Sequence, residues 1–249
     1  MSPLDPQLSA SPKKVTLLKT GETFDNLKKS EGCYEQWFSR LFGSQIVWEI
    51  IDAPYGASLP APKKVESLVI TGSPVSVYER RSWSVNCCAW LAKVWLQKIP
   101  ILGVCYGHQL MADALGGEVK ASPNGREMGA IKVEQHFNDP LFSGLNTIFN
   151  VWQTHIDEVS QVPDQAKIIA SNDHCPVQAM SIGDHCRTVQ WHPEMNQAIM
   201  AHYVQERREV IDQGWGAGEA NKLLDNLPTI VKSGPTIADN FKRHWLQIT

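Results

Sequence analysis

The 249-residue chain predicts an α/β fold: a flavodoxin-like, open, mostly parallel sheet with helices on both faces and a partly antiparallel edge. Three observations carry that expectation. Over the first hundred or so residues, short apolar runs suited to strands alternate with segments of helical periodicity, which implies parallel strands joined by helical crossovers. From about residue 117 the pattern changes to short strand-like runs, as in an antiparallel edge. Ile101-Leu102-Gly103-Val104 is apolar throughout, apart from its glycine, as befits a strand covered on both faces.

The elements follow in order. Val15 to Leu18 begins the sheet. Phe24 to Phe42 carries Phe24, Leu27, Tyr34, Trp37, Phe38 and Leu41, a spacing that predicts one helix with a single buried face. Gln45 to Ile51 is the next strand, and Pro54-Tyr55-Gly56 a loop. Glu66 to Ile70 is the third strand, ending in Thr71-Gly72-Ser73-Pro74. Trp83 to Ile99 is a helix stopped by Pro100, with Trp83, Trp90 and Trp95 read as core. Later strand-like runs are Gly129 to Glu134, Thr147 to Trp152, Lys167 to Ala170, Val177 to Ile182 and Thr188 to Trp191. Gln197 to Ile211 and Ile237 to Ile248 read as terminal helices. No repeat or Gly/Ser-rich linker divides the chain. Residues 13–249 are therefore expected to form one domain with 206–249 as a C-terminal helical extension, and polar, proline-rich 1–12 a flexible tail.

Composition narrows the function. Hydrophobic residues make up 43% and charged residues 20%, with a net charge of −3; this balance gives no electrostatic reason to expect nucleic acid or an anionic membrane as partner. No apolar run approaches the ~18 residues of a membrane span, and the N-terminus lacks a signal-peptide core, so a cytoplasmic protein is expected. The six cysteines, at 33, 87, 88, 105, 175 and 186, are too irregular for a disulfide framework. His174-Cys175 and His185-Cys186 match no zinc spacing, so no metal is expected. Gly214-Trp-Gly-Ala-Gly218 follows a predicted helix rather than a strand and is rejected as a dinucleotide loop.

The segment richest in chemistry is Gly103-Val104-Cys105-Tyr106-Gly107. A buried strand runs into Cys105 and an amphipathic helix begins at once, the thiol counterpart of a G-x-S-x-G nucleophile elbow. Glycines two residues to either side let neighbouring backbone pass a strained turn. The helix then aims its N–H groups and positive dipole end at the sulfur, which favours thiolate, and the N–H of Tyr106 is placed as an oxyanion donor. On its own the pattern also fits a tight turn around a buried cysteine. A base is supplied by Trp191-His192-Pro193-Glu194, at the end of a predicted strand and so at the same sheet edge. Two residues on, Glu194 is spaced to hold one imidazole nitrogen while the other faces the thiol.

Gly-Val-Cys-Tyr-Gly-His-Gln followed by Gln-Trp-His-Pro-Glu resembles the class I (triad) glutamine amidotransferases, over about residues 15 to 205. The likeness is strongest to small, stand-alone GMP-synthase-like members, a group that also contains γ-glutamyl peptidases. The resemblance implies Cys105, His192 and Glu194 as the triad. Thr71-Gly72-Ser73-Pro74 is similar to the family's Gly-Gly-Pro loop, making the Ser73 N–H the second oxyanion donor and Gly72 part of the substrate loop. Ser73 replaces a glycine there, and a positive φ at that residue would be costly. Gln109 matches a substrate-contacting position. Gly125 to Gly129, with Glu127 and Met128, and Gln153 to Asp157, with Thr154, His155 and Ile156, are similar to segments that hold the substrate's α-amino and α-carboxyl groups. The other histidines, at 108, 136, 174, 185, 202 and 244, are read as structural or surface residues.

The implied reaction hydrolyses the γ-amide of glutamine through a γ-glutamyl thioester, with no cofactor. A glutaminase of this kind calls for a separate ammonia-accepting synthase, because the chain lacks a G-x-x-x-x-G-K-[ST] loop. A γ-glutamyl peptidase needs no such partner, and a silent binding protein on the same fold is a third reading. The residues from Arg207 onward match no family motif.

Overall fold

In the computed structural model, which describes residues 12–248, the strands form two sheets. The larger has nine strands, in the order β2 (Ile46–Asp52), β1 (Lys13–Lys19), β3 (Leu68–Ile70), β4 (Ile101–Val104), β11 (Cys186–Val189), β10 (Ala179–Ile182), β9 (Ala166–Ser171), β6 (Glu127–Gln135) and β7 (Ile148–His155). From β2 to β11 every pairing is parallel; from β11 to β7 every pairing is antiparallel. A small ribbon, β5 (Glu118–Ala121) with β8 (Asp157–Gln161), stands apart. The helices are α1 (Asp25–Glu31), α2 (Tyr34–Phe42), α3 (Ser82–Trp95), α4 (Tyr106–Ala114), α5 (Gln197–Glu206), α6 (Arg208–Trp215), α7 (Glu219–Asp225) and α8 (Ser233–Phe241). Among the described residues no helix is long and apolar enough to cross a membrane.

Strand periodicity divides the interior into two cores, because successive side chains point to opposite faces. Val15, Leu17, Val69, Leu102 and Val104 meet Trp37, Phe38, Ile199 and Phe241 from α2, α5 and α8. Leu18, Leu68, Ile70 and Ile101 meet Leu91, Val94, Leu110 and Met111 from α3 and α4. Each fully buried side chain of this size contributes roughly 1.5–3 kcal/mol, so the parallel strands are clamped from both sides.

The helix expected over 24–42 is two helices. Gly32 (φ 78°) ends α1 in the left-handed region, and Cys33 is extended before α2; the periodic spacing of apolar residues spans the break because both helices pack on one core. The stretch 197–211 likewise breaks, at Arg207, into α5 and α6. Gly216 (φ 123°) and Gly218 (φ 84°) make the turn into α7, a helix the sequence reading missed. The last expected helix starts earlier, at Ser233, and ends in a π-helical turn, Lys242–Leu246. Strands β5 and β8 were also missed, β5 because it is mostly exposed and shows no alternation. The tail expected at 1–12 lies almost wholly outside the described residues, which begin at Pro12.

Candidate active site

Strand β4 delivers Cys105 to the carboxyl edge of the sheet. Its backbone sits at φ 50°, ψ −102°, a conformation that costs an L-residue energy and is kept only where the surroundings enforce it. They do so closely. A Cβ on Gly103 would lie 2.7 Å from the Gly107 carbonyl oxygen, and one on Gly107 would lie 2.6 Å from that of Ile70. Both glycines of the pattern are thus required by space. Helix α4 begins at Tyr106 with Cys105 as its N-cap, so the positive end of the helix dipole lies at the cysteine, while the Gly107 N–H is taken by the Thr71 carbonyl at 3.1 Å.

The histidine arrives on the adjacent parallel strand. Val189 of β11 is in register with Val104 of β4, and its carbonyl accepts the Cys105 N–H at 2.8 Å. Three residues on, the His192 N–H donates to the Trp152 carbonyl (2.8 Å), and its Nδ1 is 2.8 Å from Glu194 Oε1. The ring and the Cys105 side chain meet over Gly72, where one added Cβ would lie 2.8 Å from His192 Cε1 and 3.7 Å from Cys105 Cβ, and both line one cavity. His192 and Glu194 are both buried, 3% and 6% exposed. Burial alone would favour neutral imidazole. The charges of Cys105 and Glu194, with the Glu194 hydrogen bond, overcome it and push the His192 pKa up to about 10. Burial instead pushes the thiols of Cys87, Cys175 and Cys186 up to about 12, which keeps them protonated and unreactive.

Neither Gly72 nor Ser73 adopts a positive φ, so serine at 73 imposes no strain, contrary to the expectation drawn from the glycine in the related loop. The Ser73 hydroxyl donates to the Thr20 carbonyl at 2.7 Å and pins the loop against β1. Glycine is needed at 72 for another reason: a Cβ there would lie 2.8 Å from His192 Cε1 and 3.7 Å from Cys105 Cβ.

Two cavities open beside the thiol and share Cys105, Ser73, Pro74, Thr154 and Arg207. The smaller, about 110 Å³, is lined further by Gln109, Arg126, His155, Ile156 and Asp157. The larger, about 260 Å³, is lined further by His192, Phe24, Tyr34 and Tyr203. Of the substrate-contact positions implied by resemblance, Gln109, Thr154, His155 and Ile156 therefore lie at the cavities, whereas Gly72, Glu127 and Met128 line neither. The Glu127 carboxylate instead accepts from His155 Nε2 (2.9 Å), Gln178 Nε2 (2.8 Å), Gln153 Nε2 (3.1 Å) and Asn172 Nδ2 (2.6 Å). Against the cost of burial, these donors hold it below the usual carboxylate range. Its place is behind His155, whose Nδ1 faces the Asp157 carbonyl at 2.9 Å.

Other site residues escaped the sequence reading. Gln190 Nε2 is 3.6 Å from Cys105 Sγ, and its Oε1 accepts from Gln109 Nε2 at 3.0 Å. Strand alternation was the available signal, since Gln190 and His192 are two apart and share a face. Arg126 lies in the 125–129 segment that the resemblance points to, but it is not singled out there; Arg207, Tyr34 and Tyr203 have no local pattern that marks them as site residues. His174 and His185 are taken up by the carbonyls of Gly125 and Trp95, and among the described residues no group of three or more His, Cys, Asp or Glu side chains is placed to hold a metal.

The sequence profile described as "Glutamine amidotransferase class-I" matches residues 39–208. The chain is 38% identical over 172 residues to GMP synthase [glutamine-hydrolyzing] of Clostridium novyi (strain NT), covering 68% of this chain and 32% of that protein. It thus spans about a third of the length of that relative. It is 30% identical over 191 residues to gamma-glutamyl peptidase 3 of Arabidopsis thaliana, covering 72% of this chain and 75% of that one. The crystal structure of a glutamine amidotransferase from Thermotoga maritima superposes with a TM-score of 0.71 at 19% identity, over 92% of this chain and 97% of that chain, and so shares the fold. This chain belongs to the class I glutamine amidotransferase family.

Proposed function

We propose that the chain is a cysteine-dependent amidohydrolase that splits the γ-amide of glutamine, releasing glutamate and ammonia. The observation that carries this reading is the convergence of Cys105 and His192 on one cavity above Gly72, with Glu194 Oε1 2.8 Å from His192 Nδ1. In the proposed sequence the Cys105 thiolate attacks the γ-carbonyl carbon, and the N–H groups of Tyr106 and Ser73 stabilise the oxyanion. Imidazolium His192 gives its proton to the departing nitrogen as the C–N bond breaks, leaving a γ-glutamyl thioester and a neutral imidazole. That imidazole takes a proton from water, which attacks the thioester; glutamate leaves and the thiolate–imidazolium pair returns. Glu194 fixes the tautomer and orientation of His192 throughout. No step calls for a metal or organic cofactor. If free ammonia is the product that matters, a separate synthase is the partner that consumes it.

A second reading, a γ-glutamyl peptidase, is favoured by the roomy cavity on the His192 side and by the 75% of gamma-glutamyl peptidase 3 that the chain covers. Glutamate release from glutamine and from γ-glutamyl dipeptides, measured beside a Cys105→Ala control, separates the two. Cleavage of dipeptides alone rejects the first reading, and turnover that survives Cys105→Ala rejects both.

A further inference from the structure

The leaving group of an acyl transfer must sit where the general acid can protonate it. On the acyl-transfer reading above, that place is the larger cavity, because His192 lines it and not the smaller one. Ammonia is about the size of water, which needs only ~10–15 Å³ of such space. The cavity offers about 260 Å³. A site serving only ammonia has no use for that volume.

The walls say what would fill it. Phe24 packs edge-on against Tyr203, with ring centroids 5.2 Å apart, and the Thr23 hydroxyl donates to Tyr203 Oη at 3.0 Å. The guanidinium carbon of Arg207 lies 5.4 Å from the Phe24 ring centroid. Arg207 Nε is buried without a hydrogen-bond partner, and among the described residues the side chain makes no ion pair. The acid that lines the same cavity, Glu22, is already taken by Lys19 and Lys28. A half-buried, stacked guanidinium with unused donors beside a nucleophile is built for an incoming anion, and its planar fork suits a carboxylate. Its placement follows from the local fold: α5 stops at Glu206, and Arg207 (φ −108°, ψ 13°) stands between two helices at the cavity mouth.

We infer that the larger cavity is a leaving-group subsite in which Arg207 binds a carboxylate on the released amine. The preferred substrates are then γ-glutamyl amino acids or peptides rather than glutamine. This rests on the acyl-transfer reading and deepens it. Attack by Cys105 and proton donation by His192 are unchanged; the amine that departs is an amino acid in place of ammonia.

The test compares kcat/KM for γ-glutamylglycine and γ-glutamylmethylamide, which differ by the carboxylate, in the wild type, Arg207→Met and Arg207→Lys. The wild type should favour γ-glutamylglycine roughly 10- to 100-fold, mostly through KM, as expected for a charge-assisted hydrogen bond. Arg207→Met should erase that preference, and Arg207→Lys, which keeps the charge, should restore part of it. No preference in the wild type overturns the inference. So does an equal loss on both substrates in Arg207→Met, which would place Arg207 on the glutamyl half, where Arg126 also stands. Failure of the wild type to cleave either substrate while it still hydrolyses glutamine overturns the inference alone; failure on glutamine as well, or cleavage that persists in Cys105→Ala, sinks the underlying acyl-transfer reading too.

Discussion

The carbonyl of Val189 accepts the backbone N–H of Cys105 at 2.8 Å, one rung beyond the paired Val104 and Val189 of β4 and β11. This rung is the last tie between the two strands before each turns away. Cys105 then turns into α4, and the chain after Val189 turns to His192, so thiol and imidazole come off neighbouring parallel strands at the same edge. Ligands in open α/β sheets gather at such an edge. The pairing aligns the two side chains before any direct contact between them.

Glu194 Oε1 lies 2.8 Å from His192 Nδ1, and in the proposed reaction it positions that imidazole. Glu194→Gln keeps the shape and removes the charge, so kcat should fall about 10²- to 10⁴-fold. The imidazole should also titrate below its present value of about 10, because one of its two anionic neighbours is gone. Cys105→Ala removes the other neighbour and should lower it too. NMR titration of His192 in both variants checks this; an imidazole unmoved in either would refute a charge origin for the shift.

Two glycine substitutions should separate site from fold. Gly72→Ala drives a methyl to within 2.8 Å of His192 Cε1, so activity should drop more than about tenfold while thermal stability stays close to wild type. Gly103→Ala pushes against the carbonyl of Gly107, which as backbone in the elbow cannot yield. It should cost about 1–3 kcal/mol. Parallel kinetics and chemical denaturation give both numbers.

Acid should weaken the fold through His108. Its ring is fully buried, with Nδ1 2.8 Å from Thr188 Oγ1, and burial, aided by the charge of His155, lowers its pKa to about 3. The unfolded chain takes up a proton at this histidine below about pH 6.5, whereas the folded chain does not until about pH 3. Its contribution is therefore complete above pH 6.5 and shrinks as pH falls toward 3, by up to about 1.4 kcal/mol per pH unit. The lowered carboxyl of Glu127 acts in the same direction at more acid pH. Urea midpoints between pH 7.5 and 4 should fall less steeply in His108→Asn than in the wild type.

The C-terminal segment should carry stability. Phe241 is fully buried, packs edge-on against Phe42 at 6.3 Å and stacks on Trp245 at 5.7 Å, while Asn240 Nδ2 donates to the Leu141 and Ser143 carbonyls. Phe241→Ala should cost about 3–5 kcal/mol in chemical denaturation. A cost near zero would instead mark the segment as a detachable lid.

Much of this architecture was legible because it is written in local patterns. The alternation of apolar runs marks β1 to β4 and their crossovers, and G-x-C-x-G and His-Pro-Glu each name a strand end. What was illegible depends on pairing across the chain. Gly32 breaks a helix whose apolar face continues unbroken, and Gly216 and Gly218 turn a chain that reads as glycine-rich loop. The carboxylate of Glu127 is drawn behind His155 by Gln153, Asn172 and Gln178, donors scattered over β7 to β10 that no spacing reveals. Arg207 enters the site from a segment with no motif, because only the packing of α5 beside Phe24 brings it to the thiol.

In the proposed reaction Cys105 carries the acyl group. A γ-glutamyl substrate mixed with the protein, quenched in acid within the first turnover and examined by peptide mass spectrometry, tests it most directly. A γ-glutamyl increment is expected on the peptide holding Cys105, absent in Cys105→Ala and persisting longer in His192→Asn, where deacylation lacks its base. An increment on Cys33, Cys87, Cys88, Cys175 or Cys186, or steady turnover with no increment on any cysteine, would contradict it.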